Sequence, residues 1–119
     1  MKQEDKNLLL KDLCARLLYK VKGIITYDES DTTFTVEGID NNVLHLSDAE
    51  ECYVDDFKPY LRPMSSMTKE EKEELWELLK KLGMTADVKR LDWLVAHHFD
   101  IRNLIEKGLA LEAPKDMYK

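Results

Sequence analysis

Side chains able to do chemistry are few in this chain and mostly isolated. The densest group is His97-His98 with Asp100, two imidazoles and a carboxylate of the kind that hold metal ions or pass protons. Adjacent residues on a helix point about 100° apart, so the two rings do not readily face one ion. The zinc-hydrolase arrangement, two histidines four apart with a glutamate between, is absent. The expectation is that one ring packs at a helix end while its neighbour is solvated and favoured there by the helix dipole. An enzyme built on His97, His98 and Asp100 would need all three to line one pocket.

Cys14 and Cys52 are the two thiols. Cys14 falls on an expected apolar helix face, which would leave it buried, protonated and inert. Cys52 sits among acids, which raise a thiol's pKa and blunt its reactivity. A composite site joining either thiol to a histidine stays open. Gly23, Gly38, Gly83 and Gly108 are isolated, so no loop of the phosphate-cradling kind is present. The acids at 28–31, 40–42 and 48–51 lack calcium-loop spacing. Ser65, Ser66 and Thr68 are explained by turn and cap chemistry. The reading is a chain without catalytic, cofactor-binding or metal-ligating residues, and not an enzyme.

Charge is the informative asymmetry. The net charge of −6 is uneven: from Asp28 to Asp56 there are ten acids and no lysine or arginine. Residues 1–63 carry a net −5 and residues 64–119 a net −1. Such a surface repels phosphate, so direct nucleic-acid binding is not expected. Either the acids are a solvated rim that keeps a small domain soluble, or they dock on a basic partner or imitate nucleic-acid charge. Tyr19, Tyr27, Phe34, Tyr53, Phe57 and Tyr60 lack the basic groove of a single-strand platform and are read as core and cross-strand pairs.

These residues need elements to position them. Leu9, Leu10, Leu13, Cys14, Leu17 and Leu18 recur at helical spacing over 6–18, with Lys6, Lys11, Asp12 and Arg16 opposite and Asp5 as N-cap. The period then becomes two: VKGIITY at 21–27, TTFTVEGI at 32–39 and NNVLHLS at 41–47 read as strands separated by turn formers. Shorter extended pieces follow around Cys52 to Val54 and over Phe57 to Leu61. Segment 58–68, with Pro59 and Pro63, reads as the main boundary. Thr68 and Glu71 then have capping-box spacing, ahead of a helix with Leu75, Leu78, Leu79 and Leu82 as its stripe and Gly83 as C-cap. A helix over about 86–98, a short one over 101–106 and a frayed tail complete the chain. No stretch approaches a membrane span, and the first fourteen residues mix acids and bases where a signal peptide would be apolar, so a cytoplasmic protein is expected.

The strings LLLKDLCARL at 8–17, KPYLRPMSSMT at 58–68, and DWL-AHH-D with LIEKGLALEAP across 92–114 are similar to a family of short, uncharacterised proteins encoded by phages and prophages of gut anaerobic bacteria. The resemblance implies a cytosolic protein of a mobile element acting inside a bacterial host. It carries no assigned activity and so brings no catalytic residues.

The expected architecture is α+β. Residues 1–63 form a helix and a small twisted antiparallel sheet, an SH3-like, partly open barrel. Residues 64–119 form two or three helices packed on that part or on each other. The expected function is a non-enzymatic protein-interaction module, a phage or prophage accessory protein that binds a host or phage protein. Its contact residues are placed at Asp28, Glu29, Asp31, Glu50, Glu51, Asp55, Asp56, Tyr60 and Arg62. The alternative is an acidic inhibitor that mimics nucleic acid and blocks a host DNA-binding enzyme.

Overall fold

The computed structural model describes residues 1–30, 32–83 and 86–118. The first helix, α1 (Gln3–Arg16), starts from Lys2 rather than Asp5, which lies inside the first turn where its carboxylate meets the helix dipole. Leu9 and Leu13 are fully buried, and Asp12 and Arg16 are buried beside them. Positions 9, 12, 13 and 16 follow the three-and-four spacing of one helix face, so the two charged residues lie on the inward stripe and not opposite it. Cys14 is exposed, and so is Leu18 at 88%. The chain tightens into a 3-10 turn over Leu17–Tyr19 and leaves it through a left-handed Lys20.

Six strands follow: β1 (Lys22–Ile25), β2 (Thr33–Asp40), β3 (Val43–Leu46), β4 (Glu51–Tyr53), β5 (Phe57–Leu61) and β6 (Leu111–Glu112). Their order in the open sheet is β4-β3-β2-β1-β5-β6. The first five pair antiparallel, as tight turns require. β6 adds parallel to β5, with Tyr60 opposite Leu111, so the sheet is mixed and not purely antiparallel. β2 belongs to two half-sheets. Residues 33–35 pair with β1 and 36–40 with β3, with a register shift between Val36 and Gly38. A bulge there bends the strand and curls the sheet around its buried face.

That face carries Ile25, Phe34, Val36, Leu44, Leu46 and Phe57, packed on Leu9 and Leu13 of α1. Leu104, Leu109 and Ala110 join the same cluster, so both halves of the chain contribute to one core. At Gly23, a Cβ would run into the Phe57 ring and the Lys58 carbonyl, which is why only glycine fits opposite Pro59.

The expected boundary at 58–68 begins inside this sheet. The Thr26 amide donates to the Asp56 carbonyl, and that register makes Pro59 a position whose amide would point away from β1. The proline therefore removes no hydrogen bond from the β1 ladder, and β5 continues through it.

Past Pro63, α2 (Lys69–Leu82) and α3 (Ala86–Ala96) form a hairpin. The capping box is present: Thr68 Oγ1 accepts from the Glu71 amide at 3.1 Å, and Glu71 Oε1 from the Thr68 amide at 3.0 Å. Trp93, Leu94 and Phe99 make a second cluster with Met67, Leu75 and Leu78. The segment expected as a third helix, 101–106, is a series of turns held by the Asp100 carboxylate, which accepts from the amides of Leu104 (2.9 Å) and Ile105 (3.0 Å). The tail is not frayed: Ala113 donates to the Leu61 carbonyl at 2.7 Å beside β6.

Candidate functional site

The three residues that looked most chemical are each absorbed by a different structural task. His97 stacks on Trp93 with centroids 4.0 Å apart, and its Nδ1 lies 3.6 Å from Glu71. His98 lies beyond the end of α3, in a left-handed conformation at φ 66°, with its ring stacked 3.6 Å from Tyr118. Asp100 is the backbone acceptor just described. They do not line one pocket. Asp100 borders a cleft of about 380 Å³ beside α3 with Met64, Arg90 and Leu94, whereas neither histidine lines it. Among the described residues no three His, Cys, Asp or Glu side chains are grouped to hold a metal ion.

Burial pushes the His98 imidazole down to about 4, reinforced by the charges of Arg16, His97, Arg62 and Lys22. The ring is neutral at ordinary pH, and its Nδ1 is buried without a partner. Tyr118 closes over it. The phenol donates to the Tyr60 carbonyl at 2.6 Å and accepts from the Lys22 amide at 2.9 Å, tying the end of the chain to β1 and β5. Burial raises that phenol to about 12. The Cys52 thiol is likewise pushed up to about 11, by burial and then by Asp56, and is unsuited to nucleophilic attack at neutral pH.

Arg62, expected as a contact residue, is engaged inside the protein. Its guanidinium meets Glu71 through two bonds, Nη2 to Oε1 at 2.6 Å and Nη1 to Oε2 at 2.8 Å, and its centre lies 4.1 Å from the Phe99 centroid. The fork-to-fork geometry suits arginine and not lysine. It holds the Glu71 carboxyl down near 2. Arg62 and Glu71 also line the larger cleft, about 530 Å³, between the capping segment and the C-terminal strap with Tyr118. Tyr60 is half-buried on β5, its carbonyl taken by Tyr118.

A second polar assembly was missed by the sequence reading, which placed Asp12 and Arg16 on the solvent side of α1. Asp12 accepts from Arg16 Nε at 2.7 Å and Nη2 at 3.2 Å, and from Arg102 Nη1 at 2.6 Å. Arg16 also donates to the Phe99 carbonyl, and its Nη1 has no partner. The signal was available in the spacing: an acid and a base at i, i+4 on the leucine stripe are neighbours in the interior.

The expected acidic contacts come from three turns. Asp28 and Glu29 occupy the β1–β2 connection, where Asp28 accepts from the Ser30 hydroxyl and amide and is held below the usual carboxylate range. Asp31 lies outside the described residues. Glu50 closes the 3-10 turn before β4 and Glu51 opens the strand, 4.0 Å from His45. Asp55 and Asp56 form a 3-10 turn against α1, where Lys6 pairs with Asp55 at 3.3 Å. Glu29, Glu50, Glu51 and Asp55 are exposed. Tyr27 and Tyr53, read as core and cross-strand rings, are 65% and 63% exposed, and Tyr53 lies opposite Val43 across the β3–β4 pair. Phe34 and Phe57 are the rings that fill the core.

Comparison with protein-family models, with curated proteins and with solved structures gives no match. Among the described residues no helix is long and apolar enough to cross a membrane.

Proposed function

We propose that this chain is a non-enzymatic protein-interaction module whose contact surface is the acid-only β region. The observation that carries this reading is the exposure of Glu29, Glu50, Glu51 and Asp55 alongside Tyr27 and Tyr53, in a stretch without lysine or arginine. Exposed tyrosines supply apolar area and a polar tip, and the acids select a basic partner and speed its approach. The order β4-β3-β2-β1-β5, the bend in β2 and the 3-10 turn before β5 support an SH3-like barrel as the scaffold. The resemblance of the strings at 8–17, 58–68 and 92–114 to short phage and prophage proteins supports a setting inside a bacterial cell, with a host or phage protein as the partner.

The test is affinity capture from bacterial lysate on the wild-type protein and on the triple variant Glu29→Lys, Glu50→Lys, Glu51→Lys. A protein retained by the first and not by the second supports the reading. Equal retention on both contradicts it. The runner-up, a nucleic-acid mimic, predicts in addition that the captured protein binds DNA and is released by it.

A further inference from the structure

The two ends of the sheet are finished differently. At the β5 end the chain covers its own edge: β6 pairs there, the Arg62 amide donates to the His98 carbonyl, and the Asp100 amide donates to the Arg62 carbonyl. At the other end, among the described residues, β4 pairs with β3 alone. The Leu46 amide donates to the Glu50 carbonyl and the Val54 amide to the Asn42 carbonyl, both at 2.8 Å. With Leu44 opposite Cys52, that register turns the Cys52 amide and carbonyl toward β3 and those of Glu51 and Tyr53 outward. These four outward groups have no partner among the described residues. Cys52 is buried, whereas the Glu51 and Tyr53 side chains are exposed on the outer face.

Charge at this edge limits what can pair with it. Asp48 and Glu50 precede β4, Glu51 opens it, and Asp55 and Asp56 follow it, with no lysine or arginine from Asp28 to Asp56. The cationic groups that meet these acids are Lys6, 3.3 Å from Asp55, and His45, 4.0 Å from Glu51. Asp48 and Glu50 are exposed and have no ion pair among the described residues. A second copy of β4 would bring the same acids against this edge, which therefore disfavours pairing with itself. Given the acidic β region as the contact surface, on which this rests, we propose that β4 accepts one added strand from the partner. That strand is an extended segment in which lysine or arginine alternates with apolar residues. Its backbone meets the four outward groups of Glu51 and Tyr53. Its basic side chains fall on the face of Glu51, and its apolar ones continue the face of Cys52.

The probe is the synthetic hexapeptide acetyl-Lys-Val-Lys-Val-Lys-Val-amide, titrated into the whole isotope-labelled chain and followed by amide NMR. At saturation the Glu51 and Tyr53 amides should exchange with solvent about tenfold more slowly or slower still. Tyr53→Pro should bind the peptide about fivefold more weakly than Tyr53→Val. Both variants lose the ring, but only proline loses the outward amide, and the φ of −74° at residue 53 already suits it. The exchange measurement on the wild type needs neither variant to fold. Unchanged exchange at both amides, or equal affinity of the proline and valine variants, overturns strand addition. The acidic surface survives that result if the peptide still prefers the wild type to Glu29→Lys/Glu50→Lys/Glu51→Lys. Equal affinity for the wild type and that triple variant sinks the acidic surface itself, and the choice of a basic strand with it. A wild-type spectrum left unchanged by millimolar peptide also overturns the proposal.

Discussion

Replacing Asp12 by alanine should be the most damaging single change to an ionisable residue in this protein. The carboxylate is fully buried and accepts three charge-assisted hydrogen bonds, two from the equally buried Arg16 and one from Arg102. Its removal leaves the Arg16 guanidinium with the Phe99 carbonyl as its one hydrogen-bond partner, in an interior where an uncompensated charge costs about 3–5 kcal/mol. It also cuts the link from α1 to Arg102 in the turns after α3. For a domain of this length, about 4 °C of melting temperature per kcal/mol puts the loss at roughly 12–20 °C. Urea denaturation gives the free energy and calorimetry the midpoint. The double replacement Asp12→Leu/Arg16→Met removes both charges and should recover most of the loss, because a buried pair contributes little net stability over apolar packing of similar volume. A loss under about 1 kcal/mol in Asp12→Ala would refute the assignment of this cluster to the interior.

Other consequences are equally open to measurement. Gly23→Ala should cost about 1–3 kcal/mol in urea melts, since a methyl group there meets the Phe57 ring and the Lys58 carbonyl. Lowering the pH from 6.5 to about 4 should destabilise the wild type, because the unfolded chain protonates its imidazole first while the folded His98 stays neutral. His98→Asn, a residue that tolerates the left-handed backbone, should flatten that part of the melting-temperature profile. Below it, between about 4.5 and 2, stability falls as Glu71 is protonated and releases Arg62, and Glu71→Gln should reduce that second decline. Thr68→Ala should cost about 1 kcal/mol through loss of the cap at α2.

What the sequence disclosed and what it hid follow from the range of each interaction. The capping box at Thr68 and Glu71 is a four-residue pattern, and the structure forms it as the spacing demands. The strands through Leu46 were legible because alternation and turn formers are also local. β6 was hidden, because Leu111 and Glu112 have no periodicity and pair with a strand some fifty residues away in the chain. The turns at 101–106 carry apolar residues at helical spacing, yet Asp100 takes their amides and settles a different local geometry. Pro59 was read both within an extended piece over Phe57 to Leu61 and within a boundary segment, and local sequence does not say which way its missing amide would have pointed. At the sites the same rule holds. Asp12 and Arg16 were assigned to solvent from residue type, although their spacing matched the buried stripe. His97, His98 and Asp100, adjacent in sequence, are separated by the end of α3 into three unrelated environments.

The central claim is that the acidic β region is a contact surface. Its most direct measurement is the affinity of the captured partner, once purified, for the wild type and for the triple lysine variant between about 50 and 500 mM salt. Steep weakening with salt for the wild type, and no measurable binding by a variant that melts at the wild-type temperature, is the predicted result. Binding of equal strength by both proteins at every salt concentration would contradict it.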